Sequence, residues 1–97
     1  MVTYMMLMNL TDQGMKSVKG APERIKANIK ALEQSGVKLI GFWIAAGKYD
    51  YVSIAEVDSD EAALSLAVGL GFQGNVRVES VKLFSREQFE SVVKMLP

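Results

Sequence analysis

Residues 37–57, VKLIGFWIAAGKYDYVSIAEV, decide how the rest of the chain can fold. They hold two apolar runs, 37–47 and 49–57, with only Gly47-Lys48 or a residue either side between them. Runs of strand type so close together read as an antiparallel hairpin. Alternation sorts the first run into Val37, Leu39, Gly41, Trp43 and Ala45 against Ile40, Phe42, Ile44 and Ala46. Neither set is polar, and a strand apolar on both faces must be covered on both.

Working outward, residues 2–10 (VTYMMLMNL) read as a first strand, again with both faces apolar: Tyr4, Met6, Met8 against Thr3, Met5, Leu7. Thr11 or Asp12 starts a short helical turn that stops at Gly20. Pro22 suits the first turn of the next helix, where a missing N–H costs little. That helix carries Ile25, Ile29 and Leu32 on one face, and Gly36 supplies a left-handed stop. After the hairpin, Asp58 with Glu61 reads as a capping box for a helix striped by Ala63, Leu66, Ala67 and Leu70. VRVESVKLF (76–84) is the fourth strand. Ser85 and Gln88 form a second capping box, and Phe89, Val92, Val93 and Leu96 line a last helix.

The order is βαββαβ plus a C-terminal helix. Two split βαβ units make an α+β, ferredoxin-like sandwich with helices on one sheet face and the first and third strands central. Since helices cover only that face, a second copy of the chain is expected on the other. Such an interface buries about 800 Å² per partner. A homodimer or higher homo-oligomer is therefore the expected state.

Composition narrows the chemistry. The 97 residues, 49% hydrophobic, make one domain spanning 1–97. Eleven basic and 11 acidic residues cancel, leaving no field to favour nucleic acid or an anionic membrane. The cluster Lys16, Lys19, Arg24, Lys26 and Lys30, diluted by Glu23, reads as a solvated face. With no cysteine there is no disulfide or thiolate, which fits a reducing cytoplasm. The absence of histidine removes the usual neutral-pH base and the commonest metal ligand. No metal and no cofactor are expected. The opening MVTYMMLMNL lacks a basic leader and is too short to span a bilayer.

LMNLTDQG, PER, GKYDYV and GNVR, in that order and spacing, resemble the GYD domain family of small bacterial and archaeal proteins. The resemblance runs from Thr3 to Leu96, with the name motif on Gly47, Tyr49 and Asp50. It implies a fold similar to the dimeric α/β barrels, in which two ferredoxin-like sheets pack face to face. It implies no established activity. Some barrels of that superfamily use an asparagine in cofactor-free oxygen chemistry, which draws attention to Asn9.

The candidate ligand-binding residues are Asn9, Trp43, Tyr49, Tyr51 and Arg77. At period 2 the tyrosines share a face and Asp50 points to the other, where it reads as a turn cap. Asn9 closes the first strand, while Thr11 and Asp12 are explained by helix capping. Trp43 reads as core or subunit interface. Arg77 reads as an ion-pair partner of Glu79, with Asp50 and Glu56 as alternatives. Gly69, Gly71 and Gly74 follow a helix and precede a strand, the reverse of a phosphate loop. The acids Asp58, Asp60 and Glu61 serve a helix start better than a cation. Two functions remain: a non-enzymatic oligomer that binds a small organic or anionic ligand or serves as an assembly module, and a cofactor-free, monooxygenase-like or isomerase-like enzyme.

Overall fold

A computed structural model describes residues 1–97. The elements are β1 (Val2–Leu10), α1 (Asp12–Lys16), a 3-10 turn (Val18–Gly20), α2 (Ala21–Gln34), β2 (Lys38–Ile44), β3 (Tyr51–Val57), α3 (Asp60–Phe72), β4 (Val76–Leu83) and α4 (Arg86–Val93). The strands form one antiparallel sheet in the order β2-β3-β1-β4, with β1 and β3 in the middle as the split βαβ pattern requires. This is the ferredoxin-like α+β fold.

Local chemistry accounts for most boundaries. Thr11 caps α1, its Oγ1 accepting from the Gly14 N–H at 3.1 Å while donating to the Gly74 carbonyl at 2.6 Å. Gly36 leaves α2 at φ +91°, and Gly74 enters β4 at φ +87°, conformations that other residues rarely adopt. At α4 the capping box forms as expected: Gln88 N–H donates to Ser85 Oγ at 3.1 Å, and Ser85 N–H to Gln88 Oε1 at 2.7 Å. At α3 it does not. Ser59 is the cap, accepting from the Ala62 N–H at 3.1 Å, so the Asp58–Glu61 box is replaced by the hydroxyl next along.

The hairpin differs from its sequence reading in two ways. Its strands end at Ile44 and resume at Tyr51, so the connection runs from Ala45 to Asp50 instead of turning at Gly47-Lys48. Asp50, at the end of this connection, is hydrogen-bonded to β1. The second difference is a bulge between Leu39 and Gly41 that leaves Ile40 as the extra residue. Leu39 pairs with Ala55 and Phe42 with Ser53, on the helix side; Gly41 pairs with Ile54 and Trp43 with Val52, on the opposite side. Strict alternation placed Leu39 with Trp43, and the bulge separates them. Gly41 is needed here because a Cβ would sit 2.3 Å from the Trp43 ring.

The core lies between the sheet and α3. Met6, Met8, Tyr51, Val57 and Ala63 are buried together, flanked by Leu10, Ile25, Phe42, Leu66 and Leu70. Each fully buried side chain of Met size stabilises by about 1.5–3 kcal/mol. The other sheet face has no layer over it. Met5, Leu7, Val52, Ile54, Val81 and Leu83 stay half-buried there, and Ile40 and Trp43 are exposed at the β2 edge. α4 buries none of its residues and ends at Val93, so Leu96 lies beyond the helix that was expected to carry it.

Candidate functional site

Tyr49 and Tyr51 do not share a face. Tyr51 is the first residue of β3 and is buried on the helix side, its ring 5.5 Å from that of Phe42. Tyr49 lies in the loop before it, and its hydroxyl donates to Glu79 Oε2 at 2.5 Å. That bond crosses β1 to reach β4, and the neighbouring carboxylate raises the Tyr49 phenol above its ordinary pKa. The alternation rule failed because Tyr49 is outside the strand.

Asp50, between them, is bound from both ends. Its N–H donates to the Met8 carbonyl at 2.9 Å, and its carboxylate Oδ2 accepts from the Leu10 N–H at 2.9 Å. The Ala45 N–H donates to the Asp50 carbonyl at 2.8 Å. Asp50 thus satisfies the end of β1 rather than capping its own turn. Tyr49 ties the loop to β4 and Asp50 ties it to β1. The Tyr-Asp pair is a clasp on the sheet.

Asn9 and Arg77 face one another across β1 and β4 on the open side of the sheet. Arg77 does not pair with Glu79, which the Tyr49 hydroxyl engages instead, nor with Asp50 or Glu56. The chain's one ion pair joins Lys82 to Asp60 at 3.1 Å, beneath a Tyr4 hydroxyl that donates to Asp60 at 3.0 Å. The Lys82 ammonium, and after it the Tyr4 hydroxyl, hold Asp60 below the ordinary carboxylate range. Partial burial and the same carboxylate raise Tyr4. Asp60 is therefore engaged, and no group of three metal-binding side chains gathers in the chain. Of the five candidates, Asn9, Trp43 and Arg77 lie on the open face, Tyr49 reaches it, and Tyr51 faces the helices.

On the helix side α2 stands off from α3, leaving a cavity of about 80 Å³ above β3. Ile25, Leu32, Phe42, Tyr51, Leu66 and Leu70 give it an apolar lining; Arg24, Asn28, Ser53, Gln73 and Asn75 give it polar groups. Lys16, Lys19, Lys26 and Lys30 are exposed, as a solvated face requires, while Arg24 is half-buried and also lines this cavity. Pockets for organic substrates usually enclose about 300–1,000 Å³, well above this space.

A further surface is written in the sequence of α3. Leu64, Val68 and Phe72 recur at i, i+4 and i+8 along α3 and are 65%, 61% and 90% exposed. The stripe Ala63, Leu66, Ala67, Leu70 packs inward on the same helix. α3 is apolar on both sides, which for a helix signals burial on both sides.

The GYD domain model matches residues 4–93. The chain belongs to the GYD domain family. Within it, the motif tyrosine and aspartate of this GYD protein are the two arms of the loop clasp. A relative, the glutamine synthetase and cystathionine beta-lyase binding protein of Thermus thermophilus, is 29% identical over 83 residues, covering 84% of this chain and 87% of that one. The crystal structure of the Mycobacterium tuberculosis leucine response regulatory protein (LrpA) superposes with a TM-score of 0.63. It is 21% identical and covers 87% of this chain, which spans about half (51%) of LrpA. At that identity the likeness is one of fold.

Proposed function

We propose that this GYD protein is a homo-oligomeric binding module, at least a dimer, that docks on a metabolic enzyme rather than performing catalysis. The observation that carries the reading is surface apolarity on two opposite sides of one small domain. Only 9 of 97 residues are buried, while the open sheet face and the outer stripe of α3 leave large side chains in water. Patches of this kind on a soluble domain mark interaction sites. The sheet face is assigned to a second copy. Met5, Leu7, Val52, Ile54, Val81 and Leu83 make that face largely apolar, and face-to-face packing at about 10 Å covers both sheets. The α3 stripe, on the far side, stays free in that dimer and is assigned to the partner enzyme. The name of the Thermus relative supports an enzyme as partner.

Calorimetric titration of the full chain into purified glutamine synthetase, and separately into cystathionine β-lyase, tests this. Saturable binding to either enzyme is expected, weakened at least about tenfold by Val68→Asp, since one buried side chain at an interface centre carries about 1.4 kcal/mol or more. The mass from light scattering should stay dimeric in that variant. No binding to either enzyme, or loss of the dimer with Val68→Asp, would count against the division of surfaces.

A further inference from the structure

Tyr51 and Ser53 sit on the same face of β3, two residues apart, and are 7% and 8% exposed. Both line the cavity between the sheet and α2–α3. Neither hydroxyl makes a hydrogen bond to the protein, and neither is sealed off, since no buried side-chain oxygen is without both a partner and access. Both hydroxyls are thus accessible from the cavity and free to bond whatever fills it, water or a ligand. Two together, two residues apart on β3 in a mostly apolar cavity, make a polar floor.

The third polar element is Arg24. It is among the residues lining the same cavity; its guanidinium donates to the exposed Ser17 carbonyl at 3.0 Å, with no carboxylate in range. The lining has a cation, neutral amides and hydroxyls, and no acid. Arg24 and Tyr51 both belong to the end of the sheet where β1 leaves for α1 and β3 begins. A ligand with an ammonium group finds nothing to pair with, whereas a carboxylate finds two hydroxyl donors and a guanidinium.

Size restricts the apolar part. The inner space of about 80 Å³ is roughly half the 150 Å³ that admits benzene. It is continuous, through Asn28, Leu32, Leu66, Leu70 and Gln73, with an outer groove of about 230 Å³ between α2 and α3. A narrow chain fits this shape better than a ring.

We infer that the cleft between the sheet and α2–α3 is a binding site for a short-chain aliphatic carboxylate, held by the Tyr51 and Ser53 hydroxyls and the Arg24 guanidinium. Its chain lies along Ile25, Leu32, Leu66 and Leu70. The site lies on the sheet face opposite the one assigned to dimerisation, so it stands whether or not the partner-enzyme reading does.

Sodium pentanoate, with 1-pentanol as its uncharged counterpart, is the probe, titrated into the ¹⁵N-labelled full chain. Pentanoate should shift amides of Tyr51–Ala55 and Arg24–Leu32 while leaving the Trp43 indole resonance in place. Tyr51→Phe, which keeps the ring against Phe42, should weaken it at least about fivefold, as loss of one hydrogen bond to a charged group does. Arg24→Gln should weaken pentanoate and leave pentanol unchanged. Should Tyr51→Phe fail to give a folded spectrum, Ser53→Ala carries the same test. No shifts up to millimolar pentanoate, shifts centred on the open face, equal affinity for pentanol, or unchanged binding in the hydroxyl variant would each overturn the assignment.

Discussion

The two faces of the sheet are built from similar residues and meet different fates. Met6, Met8, Tyr51 and Val57 on the helix side are buried within one chain, whereas Met5, Leu7, Val52 and Ile54, one residue out of phase, are left half open. α3 repeats the contrast, with Ala63 closed beneath it and Phe72 in water on its far side. Apolarity states that a surface needs a cover. It does not state whether the cover comes from the same chain.

The largest effect should come from the closed face. Met6→Ala removes a side chain only 1% exposed and should lower unfolding free energy by about 2–5 kcal/mol in urea denaturation. A smaller loss, comparable to an exposed substitution, would mean that the helix side is no better packed than the other.

Asp50→Ala comes next. It strands the part-buried Leu10 N–H and frees the loop from β1, with an expected cost of about 1–3 kcal/mol by the same measurement. Asp50→Asn keeps an acceptor and should recover part of that. An unchanged midpoint in Asp50→Ala would show that the clasp holds nothing.

Ile54→Lys probes the open face, where a charge has a different meaning. Stability of the dilute protein should move by about 1 kcal/mol or less, because Ile54 is only half-buried and no helix packs on that side. Light scattering should nonetheless report a fall from a dimer to the 10.6 kDa chain. A monomer in the parent protein would remove the contrast between an internally and an externally covered face.

The smallest effect concerns pH. The Tyr49 phenol is raised in the folded state from 10.0, so its contribution is fully present below pH 10 and lost as pH rises through the folded value. Tyr49→Phe should lower the urea midpoint slightly at neutral pH, where the contribution is present, and flatten its decline on the alkaline side, so that the two proteins converge there. An identical alkaline decline in both proteins would place the cause elsewhere, with Tyr4, raised by burial and by Asp60, the next group to replace.

Much of the fold is legible because its signals are local. The Ser85–Gln88 box, Gly36 after α2, and the period of Ile25, Ile29 and Leu32 each involve residues a turn apart, and each forms as read. The α3 cap failed within the same local logic, since Ser59 competes with Asp58 for one N–H. The candidate site was less legible. Tyr49 and Tyr51 look equivalent at period 2 until the loop is seen to end at Asp50, and Arg77 beside Glu79 looks paired until Tyr49 arrives from another element.

By itself the sequence determined the order of elements, the central place of the first and third strands, and the excess of apolar surface over what two helices can cover. Those follow from periodicity, turn residues and the handedness of crossovers, all set within a few residues of each position. Tertiary structure alone decided that Ile40 bulges and sends Trp43 to the open face, and that Asp50 serves β1. It also decided that Tyr51, Ser53 and Arg24, from separate elements, line one cavity. Each of these depends on the register between strands, or on the distance at which a helix comes to rest on a sheet. Neither quantity is written in any one stretch of chain, because both are settled by how the side chains of separate elements fit together.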